Sequence, residues 1–243
     1  MPFFPIPPAP GCACETPLHP GPPEAPRRRF LAAGAAAMIG GGLALRAPSA
    51  QAQTTLRPDA AVEKLMAGNA RFVGKRMTSF QEDLAILKQG TFEKQEPFAA
   101  VLACADSRMP VELIFDQSIG QVFVARVAGN FVTPELIATL EYGAVVLGTR
   151  AIMVLGHESC GAVKAAIDGK AVPGQISALY RPLRPAVEQA GPDVEAVSKA
   201  NARIQAGLLA TSSPVLAEMI KKGDLKIVPA YYALATGQVT LLG

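Results

Sequence analysis

The chain has 243 residues, 50% of hydrophobic type and 18% charged, which excludes a disordered composition and supplies enough apolar side chain for a packed core. Its formal net charge is only +3 with no long Lys/Arg run, which argues against a nucleic-acid-binding surface. Four cysteines are too few for a disulfide framework.

Residues 1–26 carry ten prolines, which suit neither helix nor strand interiors, and read as a structureless head. Arg27-Arg28-Arg29-Phe30-Leu31 follows, and then an Ala/Gly-rich apolar run from Leu31 to Leu45. That run falls short of the roughly 20 residues of a membrane span and has the size of a signal-peptide core. Glycines at 34, 40, 41 and 42 weaken it as a helical anchor, and Ala50-Gln51-Ala52 offers a cleavage site after Ala52. Arg27-Arg28-x-Phe30-Leu31 resembles the twin-arginine export signal, with Pro26 in place of its Ser or Thr and Ala32 in place of its Lys. The resemblance implies a periplasmic protein with no stable membrane anchor after cleavage. Residues 1–52 are therefore expected to be a leader and 53–243 one domain. Without the leader the chain keeps two cysteines, Cys104 and Cys160, and one histidine, His157.

Apolar residues at helical spacing predict a helix over 58–73, and a second helical piece over Gln81 to Lys88 ends at Gly90. Phe98 to Ala103 reads as a buried strand, Val111 to Phe115 as a helical turn after Pro110, and Gln121 to Val127 as a second strand. Thr133-Pro134-Glu135 has the order of an N-cap, a first-turn proline and a first-turn acid, opening a helix that Gly148 ends. Ala151 to Leu155 is the third strand and Gly161 to Ile167 a short helix. Residues 174–222 read as helical pieces broken at Pro182, Pro185, Pro192 and Ser213-Pro214. Leu225 to Val228 is a fourth strand, and Gln238 to Leu242 a fifth that pairs antiparallel. The expected fold is α/β: a mostly parallel four-stranded sheet flanked by helices, with a C-terminal antiparallel strand.

The chemistry gathers where strands end. Cys104, His157 and Cys160 offer two thiolates and an imidazole, a donor set that suits Zn²⁺. Three protein ligands leave a fourth position open, as in catalytic zinc sites. Cys160 also stands at a helix start, where the macrodipole favours its thiolate. Each of these residues taken singly could equally be a packed core side chain. Asp106 and Arg108 follow Cys104 closely, and an Arg fork holds a carboxylate in a fixed plane and ionised. Asp106 could then take a proton from a metal-activated water, fill the fourth metal position, or only close the turn with Arg108.

Cys104-x-Asp106-x-Arg108 followed by His157-x-x-Cys160-Gly161 resembles the pattern of the β-class carbonic anhydrases. The resemblance takes in AVEKLMAGNARFV, FDQ at 115–117, ARVAGN at 125–130, LEYGAVVLG at 140–148 and the YYALATGQV end, with Val127 where that family has Asn. It implies one zinc per subunit on Cys104, His157 and Cys160, with Asp106 either partner of Arg108 or fourth ligand of a closed form. It implies that Gln95 binds substrate, that Phe123 and Tyr142 line an apolar CO2 pocket, and that the Gly161 amide is a donor beside the metal. The implied reaction is reversible hydration of CO2 to bicarbonate and a proton, by a water that zinc acidifies. Hydrolysis of CS2 or carbonyl sulfide on the same site, or a non-catalytic zinc scaffold, are the alternatives. The resemblance also implies a homodimer or homotetramer with its site at a subunit interface.

Overall fold

The computed structural model describes residues 54–79, 84 and 94–243. The expected leader lies outside the described residues, as does the helix expected over 81–88 apart from Leu84.

Helix α1 (Pro58–Val73) opens with Pro58 and Asp59 in its first turn and buries Ala61, Val62 and Leu65. Strand β1 (Ala99–Ala103) is buried at all five positions. A single helical turn, α2 (Val111–Ile114), follows Pro110, and strand β2 runs Val122–Arg126. Helix α3 (Pro134–Val145) is capped as its sequence predicts: Thr133 Oγ1 accepts the Leu136 N–H at 3.3 Å. Strand β3 (Ala151–His157) is buried throughout and helix α4 (Gly161–Asp168) follows it. After a 3₁₀ turn at Ile176–Leu179 come helices α5 (Tyr180–Ala190), α6 (Val194–Ser212) and α7 (Pro214–Lys222). Strands β4 (Lys226–Tyr232) and β5 (Val239–Leu241) close the chain.

The sheet has the order β2-β1-β3-β4-β5, with β5 alone antiparallel. Side chains of β1 and β3 alternate between its faces. Ala99, Val101, Ala103, Met153 and Leu155 meet α1 and the Met109–Phe115 segment. Ala100, Leu102, Ile152 and Val154 meet α3, α6 and α7. Full burial of each such Leu, Ile or Val contributes about 1.5–3 kcal/mol. Strand β2 is less covered, with Val122, Phe123 and Val124 only half-buried at the sheet edge. Among the described residues no helix is long and apolar enough to cross a membrane.

Two expectations are corrected. Pro182 and Pro185 do not break the chain, since both lie within α5. Pro182 sits in the first turn, where an N–H would have no intrahelical acceptor. Pro185 costs one helical bond, and full burial of Leu183 and Ala186 on either side of it offsets that cost. The third and fourth strands are also longer than expected. β4 continues past Pro229, whose carbonyl faces β5 and accepts the Leu242 N–H at 2.9 Å. The N–H that Pro229 lacks would face the Leu242 carbonyl, just past the paired residues of β5, so only one bond at the end of the ladder is forgone. β3 runs on through His157, which makes that residue the last of a strand rather than part of a turn.

Candidate metal centre

Parallel pairing builds the site. Ala103 lies opposite Leu155, so the residues just beyond β1 and at the end of β3 emerge side by side. Cys104 and His157 come from these two ends, and Cys160 is the N-cap residue of α4. Ser159, between His157 and Cys160, adopts φ 53°, a left-handed conformation that turns the chain sharply from strand into helix. Close packing keeps this end of β3 in place. A Cβ on Gly156 would stand 2.8 Å from the Ser198 carbonyl oxygen, so α6 passes directly over the residue before His157.

The ligand-type atoms of Cys104, His157 and Cys160 all lie within 4.8 Å of one another, and all three residues are buried. The two Sγ atoms are 4.0 Å apart. Tetrahedral zinc with Zn–S bonds of about 2.3 Å sets its sulfurs about 3.8 Å apart. His157 Nδ1 lies 2.8 Å from the Glu158 carbonyl oxygen. A carbonyl only accepts, so Nδ1 carries the hydrogen and Nε2 presents its lone pair. That Nε2 is buried and has no hydrogen-bond partner. An unpartnered imidazole nitrogen beside two thiols is the arrangement a zinc ion completes, and the three residues can hold one.

The thiols do not ionise independently. The hydrogen bond from Cys160 lowers the Cys104 pKa strongly against the effect of burial, helped by His157 and by the Gly129 and Asp106 amides. Cys160 is driven the other way, by that same hydrogen bond, by burial and by the nearby Cys104 charge. A divalent cation removes the penalty on the second ionisation.

Asp106 stands beside this group with both carboxylate oxygens engaged by Arg108. Arg108 Nε donates to Oδ1 at 2.9 Å and Nη2 to Oδ2 at 2.7 Å, while the Arg108 backbone N–H also donates to Oδ1 at 2.9 Å. The Arg108 side-chain hydrogen bond holds the Asp106 carboxyl well below the usual carboxylate range. Arg108 Nη2 also donates to the Ser159 carbonyl oxygen at 3.3 Å, which joins the two turns of the site.

The other expected site residues fall into two sets. Gly161 opens α4 beside Cys160, with no atom within 4 Å of the space a Cβ would fill. Gln95 lies exposed four residues before β1, at the end of the sheet opposite Cys104. Phe123 pairs in register with Ala100, and its ring centroid is 6.2 Å from that of Tyr142, which is 48% exposed on α3. The fold of one chain therefore gathers Cys104, Asp106, Arg108, His157, Cys160 and Gly161, and leaves Gln95, Phe123 and Tyr142 apart from them.

The family model described as carbonic anhydrase matches residues 99–239. Carbonic anhydrase 2 of Mycobacterium tuberculosis is 34% identical over 192 residues, covering 76% of this chain and 92% of that protein. The carbonic anhydrase of Mycolicibacterium smegmatis is 35% identical over 195 residues, with 76% and 93% covered. The chain belongs to the β-class carbonic anhydrase family. Among solved structures, the β-carbonic anhydrase CafA of Aspergillus fumigatus superposes with TM-score 0.61 at 26% identity, over 76% of this chain and 89% of that one. The tetrameric β-carbonic anhydrases of Sordaria macrospora share the fold, with TM-score 0.62 at 22% identity over 76% and 98% of the two chains.

Several residues that build the family's centre here were not apparent as such in the sequence. Arg126 reaches from the edge of β2 to the carbonyl oxygens of Cys104, at 2.9 Å, and Asp106, at 2.6 Å, and so braces the turn that carries both. Gly129, at φ 91°, aims its N–H at Cys104 Sγ from 3.3 Å. Asn201 and Gln205 hold the Gly129 turn from α6, and their signal was two amides four residues apart on an apolar helix face. Val127 contributes by its backbone, exchanging N–H···O bonds with Ala103 and Ala105 at 3.2 Å each, while its side chain packs beside the two cysteines.

Proposed function

We propose that the protein catalyses the reversible hydration of CO2 to bicarbonate and a proton, with one zinc ion per subunit held by Cys104, His157 and Cys160. The observation that carries this reading is a buried, unpartnered His157 Nε2 between two thiols, next to a carboxylate fixed by an arginine fork. Zinc in such a site lowers the pKa of a water toward about 7 and so supplies the nucleophile at neutral pH. The remaining work falls to the chain. Arg108 keeps Asp106 ionised and aligned, which suits its carboxylate to accept a hydrogen bond from that water and orient it, while the proton itself leaves to buffer. The Gly161 amide, at the start of α4, is suited to donate to a substrate oxygen. Gln95 supplies an amide donor, and Phe123 and Tyr142 an apolar wall suited to an uncharged, linear substrate.

The last three residues lie away from the centre of their own chain, so we assign them to the centre of a neighbouring subunit. Support comes from the half-buried edge strand β2 and from Tyr142, Val145 and Val146, which are 45–50% exposed on one side of the fold. The tetrameric assembly of the Sordaria enzymes points the same way.

Stopped-flow CO2 hydration with zinc quantification on the same preparation tests the reading. About one zinc per chain and metal-dependent hydration are expected, and Cys104→Ser or His157→Ala should lose both. Zinc without hydration of CO2, CS2 or carbonyl sulfide at pH 8.5 would leave a metal-binding scaffold. Hydrolysis of CS2 or carbonyl sulfide in place of CO2 hydration would change the substrate and keep the site.

We propose further that the protein is exported folded and metal-loaded, on the strength of Arg27-Arg28-x-Phe30-Leu31 and the cleavage site after Ala52. Folding before export lets the donors be assembled on the correct metal, and zinc on both cysteines protects them from pairing in an oxidising compartment. Fractionation with N-terminal sequencing should find a periplasmic chain starting near Gln53, and lysines at 27 and 28 should strand the precursor in the cytoplasm. An uncleaved cytoplasmic protein would refute export.

A further inference from the structure

Helix α6 carries two amides where its neighbours are apolar. Asn201 is 0% and Gln205 1% exposed, on the same buried side as Val197, Ala202 and Leu209. A buried amide costs free energy unless its hydrogen bonds are made, and packing alone would be served as well by Leu. Both amides reach the turn that follows β2, and Gln205 Nε2 also donates to the Pro182 carbonyl oxygen of α5 at 3.5 Å. Asn201 Nδ2 donates to the Gly129 carbonyl oxygen at 2.9 Å, and Gln205 Oε1 accepts the Val132 N–H at 2.9 Å. Gln205 Nε2 donates to Asn201 Oδ1 at 3.1 Å, so the two act as one clamp with a grip on each end of the turn.

The turn needs such a clamp. Gly129 and Asn130 are both left-handed, at φ 91° and 39°, and the asparagine carries that conformation at some cost. Leu183 of α5 and Ala162 of α4 close in on Gly129 from the other side, leaving 3.1 and 3.3 Å to the position of a Cβ. What the clamp holds in place is the Gly129 N–H, 3.3 Å from Cys104 Sγ.

We infer that Asn201, supported by Gln205, is a positioning residue of the metal centre: acting through Gly129, it fixes the N–H···S hydrogen bond on Cys104 and so sets how tightly the centre holds its metal. Neither amide touches a ligand atom. An N–H donor aimed at a thiolate orients its lone pairs and draws off part of its charge. Such outer partners are worth roughly 10–100-fold in metal affinity. The inference rests on Cys104 being a zinc ligand.

The test compares full-length Asn201→Ala, Gln205→Leu and Leu209→Ala with wild type. Leu209 lies on the same helix at 0% exposure but packs in the apolar layer against the sheet rather than around the cysteines, so its truncation lowers stability without removing a hydrogen bond to the turn. The readouts are zinc dissociation to a chelator and the sulfur-to-metal charge-transfer band of the cobalt(II)-substituted protein. Asn201→Ala and Gln205→Leu are expected to loosen zinc by about 10-fold or more and to shift the cobalt band, with Leu209→Ala unchanged in both. If Asn201→Ala fails to fold, Gln205→Leu carries the test. The inference is overturned if the amide variants keep wild-type zinc affinity and cobalt spectrum, or if Leu209→Ala loosens zinc equally. A wild type that takes up no zinc overturns this inference and the functional reading together, whereas the variant results bear on this inference alone.

Discussion

Arg108 shows how much a single side chain can fix. Its guanidinium occupies both oxygens of Asp106 and reaches across to the Ser159 carbonyl, so it aligns a carboxylate and ties two turns at once. Arg108→Ala should keep zinc but lose most activity, because a released Asp106 is free to turn toward the metal. A variant as active as wild type would reduce the Asp106–Arg108 pair to a structural one. Asp116 is a second ionic residue with a different role. Its buried carboxylate accepts the Ser79 N–H at 3.0 Å and the Ser79 hydroxyl at 2.7 Å, with Thr78 and Arg71 as further donors. Burial alone would raise its pKa, and these hydrogen bonds overcome that effect and hold it well below the usual carboxylate range. An unfolded Asp titrates near about 3.9, above the folded value, so the stabilisation is complete above that pH and fades as pH falls below it. Asp116→Asn should cost about 2 kcal/mol in urea unfolding at pH 7, and the gap to wild type should narrow near pH 3. An equal gap at both values would contradict this assignment. The sequence made Cys104, His157 and Cys160 stand out because their types are rare, two cysteines and one histidine once the leader is set aside, whereas Asp106 and Arg108 stood out only by following Cys104 closely. It could not show Arg126 or Asn201 in their roles, since a surface-type arginine and a helical asparagine acquire them only through partners 20 and 72 positions away.

At the scale of elements, the centre is a product of where strands stop. β1 and β3 run in register, so Cys104 just after β1, His157 at the end of β3 and Cys160 at the start of α4 come together as candidate metal ligands. Gly156 sets the spacing between β3 and α6 just before His157. Gly156→Ala should force α6 away from β3 at Ser198, destabilise by about 1–3 kcal/mol and loosen the metal together with the fold. Thermal unfolding with zinc titration of that variant checks both effects, and an unshifted melting temperature would show that the helix yields freely. Apolar runs and the Thr133-Pro134-Glu135 cap located most elements correctly, because strands buried on both faces and capped helices leave local marks. The prolines misled where tertiary packing outweighed them. Pro185 lies in a helix held by Leu183 and Ala186, and Pro229 in a paired strand where its missing N–H forgoes only one bond at the end of the β5 ladder.

For the whole molecule, the exposed side of α3 and the edge strand β2 make a prediction that needs no catalytic residue. Val145 is 50% exposed, and Val145→Arg should leave the fold and its zinc intact while shrinking the species seen in analytical ultracentrifugation and abolishing activity. A fully active monomer would show that each centre is complete within its own chain. The centre also has a consequence for how the polypeptide comes apart. Its two sulfur donors are 56 positions apart, and the loop between them contains α2, β2, α3 and β3. An ion bound there would act as a removable staple across much of the sheet, and a permanent link of that span would be worth roughly 4 kcal/mol in chain entropy. Loss of the ion releases that tether, so a chelator should speed the unraveling of the parallel strands well before it alters the folded outline of the protein.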